Sequence, residues 1–318
     1  MRTFLALSLL ASAVVAERQL VVKNKCDFEL WPAVLNTFAD GAYTGPRGWS
    51  ASPGSSKTLT IPEKWNGRVW ARRGCSFRND GSGSCLAGDC GGGLECDDAT
   101  MGWANLFEVN LESWNGMDFW DLSDVPGFTV PMSAVPSDSS CAAVNCPKDI
   151  LNECPEALRI YDTDGKTVIT CLSACMAGVN AGDDSANCCS GTFNSLDACK
   201  SSDVDYYDLF KDRCANTYAV PYDSRPGSPT VDQACSAANR PSYTITFCPS
   251  GSGENASSAS AASSASSTGM VISRIPASSS TSQAAAETTT AAAAAETSAV
   301  VGATSTCRKR KHVKAPKH

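Results

Sequence analysis

Sixteen of the chain's 17 cysteines fall between Cys26 and Cys248, and this set constrains the fold more than any other feature. An even number at this density belongs to an oxidising compartment, where cross-links replace part of an apolar core. The densest stretch, residues 81–96, holds Cys85, Cys90 and Cys96 together with six glycines. Glycine supplies positive φ and close backbone approach, so this stretch reads as a tight cross-linked loop module and not as a helix or long strand. Asp89 inside it reads as a loop brace. Cys188 and Cys189 are adjacent. A bridge between neighbours is strained, so each is expected to reach a different partner. Zinc is the rival use for many cysteines. It favours repeated Cys-x-x-Cys spacing, which the sequence lacks. Cys307 is left over, either free or available to a second chain.

The 2 histidines, His312 and His318, stand in the last seven residues. The cysteine-rich region therefore offers no Ser-His-Asp or Cys-His pair and no histidine-ligated metal site. With its cysteines paired it offers no thiolate either. No cofactor and no metal are expected, and catalysis there must rest on carboxylates, lysine, tyrosine or backbone dipoles. Of the formal net charge of −7, residues 251–318 supply +4 and residues 1–16 supply +1, which leaves −12 on residues 17–250. So acidic a region argues against nucleic acid as a partner.

Residues 1–16 read as a secretory signal: Arg2, an apolar run over 4–15 too short to span a bilayer, and small residues Val14 and Ala16 at the cleavage point. Residues 17–250 form the folded domain, expected to be a monomer that does not span a membrane. Strand-like alternation appears at 19–23, 57–61, 67–71, 106–111, 117–122 and 243–248, with turn signals such as Pro53-Gly54 and Asn66-Gly67 between. Short strands at this spacing point to a sandwich or barrel. Within 118–123, Phe119 and Asp121 share one face while Asp118 and Trp120 share the other. Residues 141–214 are cysteine-rich with little periodicity. Short helices are expected near 149–151, 173–177 and 202–211. After Ser250 the composition turns to Ser, Ala, Thr and Gly, which cannot bury enough surface to offset the entropy of ordering. Residues 251–318 read as a Ser/Thr/Ala stalk of the O-glycosylated kind, with an N-glycosylation sequon at Asn255 and a basic end from Arg308 onward. A glycolipid-anchor signal would end in an apolar tail, which this stretch lacks.

The cysteine-glycine module resembles the signature of the thaumatin-like family: Gly81, Gly83, Cys85, Gly88, Asp89, Cys90, a glycine, then Cys96, with Ala87 where the family usually has Thr. Further matches are Trp70-Ala-Arg72, Gly127-Phe-Thr-Val-Pro-Met132 and Tyr243-Thr-Ile-Thr-Phe-Cys-Pro249, so the resemblance spans about residues 19–249. It implies a mainly β fold: a flattened two-sheet β sandwich (about 17–72, 104–147 and 215–250) carrying a small lobe (73–103) and a disulfide-rich lobe (148–214). It also implies eight bridges: Cys26–Cys248, Cys75–Cys85, Cys90–Cys96, Cys141–Cys235, Cys146–Cys214, Cys154–Cys171, Cys175–Cys188 and Cys189–Cys199.

Many members of that family carry an acidic cleft of one Arg, one Glu and three Asp. Transferred position by position, the resemblance assigns Glu108, Asp121 and Asp223. Pro126 stands where a third Asp is expected, with Asp124 as its substitute. The Arg expected around residues 49–51 is absent, and Arg47 is the nearest candidate. Cleaving a glycosidic bond needs an acid for the leaving oxygen and a second carboxylate across the sugar. Glu108 is expected to be the acid, with its pKa raised by neighbouring carboxylates, and Asp121 to stabilise charge or activate water. Phe119 or Trp120 would stack on sugar, unless Trp120 serves as core. The implied function is a secreted or wall-retained protein that hydrolyses or binds β-1,3-glucan or another cell-wall polysaccharide. The alternative is a non-catalytic antifungal, defence-like or protein-binding module.

Overall fold

The computed structural model describes residues 17–38, 41–97, 102–224 and 231–251. The signal segment, Asn255, Cys307 and the stalk lie outside the described residues. In chain order the strands are β1 (Glu17–Asn24), β2 (Trp31–Asn36), β3 (Ser56–Pro62), β4 (Asn66–Phe77), β5 (Gly83–Ala87), β6 (Leu106–Asn110) and β7 (Met117–Ser123). They continue as β8 (Gly127–Phe128), β9 (Met132–Pro136), β10 (Val144–Cys146), β11 (Arg159–Tyr161), β12 (Val168–Leu172), β13 (Gln233–Ser236) and β14 (Tyr243–Phe247). One α-helix, α1 (Tyr207–Lys211), appears among the described residues, and several single 3-10 turns accompany it. The fold is mainly β, as the alternation implied. No described helix is long and apolar enough to cross a membrane.

Two sheets face each other. One has five strands in the order β10-β9-β14-β1-β3, the other six, five of them in the order β13-β7-β6-β4-β2 and the sixth, β5, paired with β4. Their facing side chains form one core: Leu20, Val22, Leu59, Ile61, Ile245 and Phe247 from the first, Val34, Val69, Phe107, Val109, Trp120 and Leu122 from the second. The period-2 burial of β1 shows how alternation selects the face, with Leu20 and Val22 inward and Gln19 and Val21 outward. The Tyr243 ring meets Trp120 edge-on at 5.3 Å and Phe107 at 6.1 Å, which locks the two sheets together. A three-stranded sheet, β11-β12-β8, carries the cysteine-rich segment.

All eight bridges join the cysteines that the resemblance implied. Register explains the longest of them. β1 and β14 run parallel with Asn24 opposite Phe247, so Cys26 and Cys248 emerge side by side, 5.1 Å apart at Cα. In the small module, Gly83 sits at φ 148°, and a Cβ there would lie 2.0 Å from the Ser76 carbonyl oxygen. Asp89 braces the same loop by accepting from the Cys85 N–H at 2.9 Å. Arg72, fully buried, donates to the carbonyls of Trp31, Gly93 and Leu94 and ties the module to the sheet.

Four local expectations differ. The turn before β4 falls at Glu63 and Lys64, while Asn66-Gly67 begins the strand. Gly67 is there because the Trp65 ring folds over it, 2.0 Å from where a Cβ would stand. Residues 173–177 form turns instead of a helix, and the first short helix is a 3-10 turn at Leu151–Glu153. Both lie beside bridged cysteines, whose partners fix the backbone more strongly than helical propensity does. The stretch 202–211 is split into a 3-10 turn at Ser201–Asp203 and the short helix α1.

Candidate functional site

The six-stranded sheet turns a second face away from the core, and that face carries the charged groups. Alternation along β4, β6 and β7 sends Val69, Phe107 and Leu122 inward, so Arg68, Glu108 and Asp121 point the other way. Register lines them up, with Arg68 opposite Glu108 and Glu108 opposite Asp121. Residues directly opposite have Cβ atoms about 4.5–5.5 Å apart, so the three form one row across the strands. Asp232, exposed at the start of β13, extends the acidic end and accepts from the Tyr218 hydroxyl at 2.5 Å.

Arg68 Nε donates to Glu108 Oε1 at 2.5 Å, with both side chains partly exposed. Asp121 is different. The residue keeps partial exposure, but its Oδ1 is closed off and has no hydrogen-bond partner among the described residues. Burial pushes its carboxyl well above the ordinary range, Glu108 and Asp232 push it the same way, and Arg68 opposes them. The two carboxyls thus occupy distinct environments. Burial and its acidic neighbours favour the protonated form of Asp121, while Glu108 is ion-paired with Arg68. Asp121 therefore joins Glu108, the acid expected from sequence, as a candidate proton donor.

The other site candidates fall elsewhere. Trp120 is 1% exposed and packs on Tyr243, so it belongs to the core and is closed to a sugar. Phe119, half-buried, shares the open face with Asp121, two residues nearer the β6–β7 turn. Asp223 is buried and its oxygens accept from the Tyr207 hydroxyl at 2.7 Å, Lys211 Nζ at 3.1 Å and the Ala219 N–H at 2.7 Å. These bonds latch α1 to the following segment. Asp124 is also buried, accepting from the Thr217 hydroxyl at 2.9 Å, and burial lifts its pKa to about 7. Its carboxylate lies within 4.8 Å of the sulfurs of Cys146 and Cys214, but those two are bridged, so the trio contains no thiolate ligand. Arg47 sits beside Glu95, whose Oε2 accepts from the Arg47 N–H at 2.7 Å.

The cation of the row is Arg68, which sequence reading passed over. Its signal was present: the alternation of 67–71 places Arg68 on the face opposite Val69, but only strand order shows Glu108 beside it. Asp232 and Tyr218 reach the row through long-range pairing that leaves no local trace.

The thaumatin family model matches residues 24–249. A thaumatin-like protein of Arabidopsis thaliana is 34% identical over 249 residues, covering 77% of this chain and 96% of the relative. A protein of Prunus avium named glucan endo-1,3-beta-glucosidase is 33% identical over 249 residues, covering 77% of this chain and 96% of the relative. Among solved structures, the thaumatin-like xylanase inhibitor TLXI aligns with 25% identity and a TM-score of 0.37, over 72% of this chain and 99% of that one.

Proposed function

The chain belongs to the thaumatin family, and on that premise we propose that it is a secreted, monomeric protein that hydrolyses β-1,3-glucan across the Arg68–Glu108–Asp121 row. One observation carries the reading: a carboxyl whose Oδ1 is closed off from solvent, in surroundings that favour its protonated form, stands next to an ion-paired carboxylate in one row across the sheet. Asp121 would donate its proton to the glycosidic oxygen as the C–O bond breaks. Glu108 would stabilise the positive charge that develops on the sugar or take a proton from the attacking water. Arg68 would hold Glu108 in place, and Phe119 would offer an apolar surface beside the pair. The name of the Prunus avium relative supports β-1,3-glucan as substrate. The Ser/Thr-rich stalk suits retention in a cell wall.

A second reading, recognition of cell-wall glucan without cleavage, is favoured by the closure of Asp121 Oδ1 from solvent, which restricts contact with a leaving oxygen. Sugar release from a linear β-1,3-glucan at mildly acidic pH separates the two. Asp121→Asn and Glu108→Gln, each shown to be folded, are expected to lower release by about a hundredfold or more, the scale of a lost general acid. Absence of release from the wild type, with glucan retained in a pull-down, would replace hydrolysis by recognition.

A further inference from the structure

A concavity lies at the far end of the same sheet. It measures about 300 Å³ and is lined by Phe28, Trp31, Arg73, Gly74, Asp162 and Thr163, with Glu29, Cys75 and Ser76 at its edge. Trp31 stands opposite Arg72 on β4, whereas the acidic row begins at Arg68. Four residues of strand, roughly 13 Å, separate the two. Between them the cysteine-glycine module covers Ala33 and Trp70. This hollow is therefore no extension of the row.

The chemistry of its wall is selective. Trp31 is half-buried, packed edge-on against Phe77 at 6.4 Å. The ring of Phe28 is already covered by the Arg73 guanidinium at 4.3 Å, and Arg73 also donates to the Thr129 carbonyl at 3.3 Å. Asp162, Asp149 and Asp27 lie within electrostatic reach of Arg73, and Glu29 adds a further carboxylate to the wall, so acidic groups outnumber Arg73 and Arg72 there and anions are disfavoured. The carboxylates of Glu29 and Asp162 only accept hydrogen bonds, so a ligand must bring donors. A cation cage needs several free aromatic faces. Here Phe28 is occupied by Arg73, and Phe77 packs against Trp31 and holds the Arg72 guanidinium over its own ring at 5.3 Å. What remains is one indole, the carboxylates of Glu29 and Asp162, whose Oε1 and Oδ1 already accept from Ser50 and Thr163 and whose other oxygens can take a ligand's donors, and the hydroxyls of Ser76 and Thr163. A pyranose ring, with an apolar C–H face and a rim of hydroxyl donors, meets all of these demands.

We propose that the hollow beside Trp31 is a second, non-catalytic binding site for a neutral glycan, taking one sugar ring on Trp31 with its hydroxyls on Glu29, Asp162 and Thr163. Only the choice of probe rests on the glucan reading above. Such a site would hold an insoluble polymer while the acidic row engages another stretch of it, and the gain is avidity.

The test is a titration of the full secreted chain with a linear β-1,3-glucan hexasaccharide, read by the NMR shifts of the backbone amides of Gly74, Ser76 and Thr163. Those amides are expected to move in the wild type and equally in Asp121→Asn, which alters only the acidic row. Trp31→Ala is expected to weaken the response at least tenfold with an unchanged melting temperature, and Trp31→Phe to restore part of it. Glu29→Gln, which keeps an acceptor, should lose less than Trp31→Ala. Amides that stay still with the hexasaccharide, or that answer tetramethylammonium and not the sugar, overturn the proposal. So does a response untouched by Trp31→Ala in folded protein. If the amides respond while wild-type protein releases no sugar, the second site stands and the hydrolytic reading falls.

Discussion

Asp124 stores a pH-dependent cost that one substitution should remove. Its carboxyl is 1% exposed, with the Thr217 hydroxyl at 2.9 Å on Oδ2 and Lys211 as the nearby cation. Burial outweighs both and lifts the pKa from 3.8 to about 7. In the unfolded chain the group ionises near its ordinary value. Between pH 4 and pH 7 the unfolded state therefore releases a proton that the folded state keeps, and stability falls across that window. A gap of roughly three pH units at about 1.4 kcal/mol each sets an upper limit of about 4 kcal/mol. Asp124→Asn stays neutral at every pH, and its Oδ1 can still accept from Thr217. Urea unfolding with bridges intact, at pH 4, 5.5, 7 and 8, reads the effect as the difference between the two proteins. Other groups titrate in both and cancel. The variant should match the wild type near pH 4 and exceed it by about 2–4 kcal/mol at pH 8. A difference curve flat in pH, or a variant weaker at pH 8, would refute the reasoning.

Two further outcomes concern what holds the sandwich together. Arg18, 2% exposed on the core side of β1, pairs with Asp118 and with Glu63 at 2.8 Å, and Asp118 also accepts from the Tyr243 hydroxyl at 2.8 Å. Asp118→Ala should cost about 3 kcal/mol or more in urea unfolding, since it strips a buried cation of one partner and orphans a hydroxyl. A loss below about 1 kcal/mol would mean that Glu63 alone satisfies Arg18. The bridge between Cys26 and Cys248 closes a loop with a sequence separation of 222. Replacing both with alanine should lower stability by up to about 5 kcal/mol on the loop-entropy scale, and an unchanged unfolding midpoint would show that β1–β14 pairing suffices.

Local pattern revealed the strands, because alternation such as Lys57-Thr-Leu-Thr-Ile61 encodes its own face. The bridges were legible only through the family resemblance, since spacing cannot choose among pairings of sixteen cysteines. Glu108 and Asp121 were named from the resemblance, and the structure sets them side by side with Arg68. The burial of Asp121 and the pairing of Glu108 with Arg68 are properties of strand order that no local pattern encodes. Asp223 and Asp124 looked like cleft acids because sequence shows a carboxylate's position and not its hydrogen bonds. One latches α1 and the other is sealed behind Thr217. Arg18 and Asp118 were equally silent, because a buried ion pair 100 residues apart has no local signature.

The most direct test of the central claim is the titration of the Asp121 carboxyl by carbon-detected NMR, alone and with a β-1,3-glucan oligosaccharide bound. The geometry predicts a carboxyl that stays protonated well above the ordinary aspartate range, and whose titration moves when glucan lies across the row. An Asp121 that titrates like an exposed aspartate and ignores the sugar would contradict the claim that this row acts on glucan.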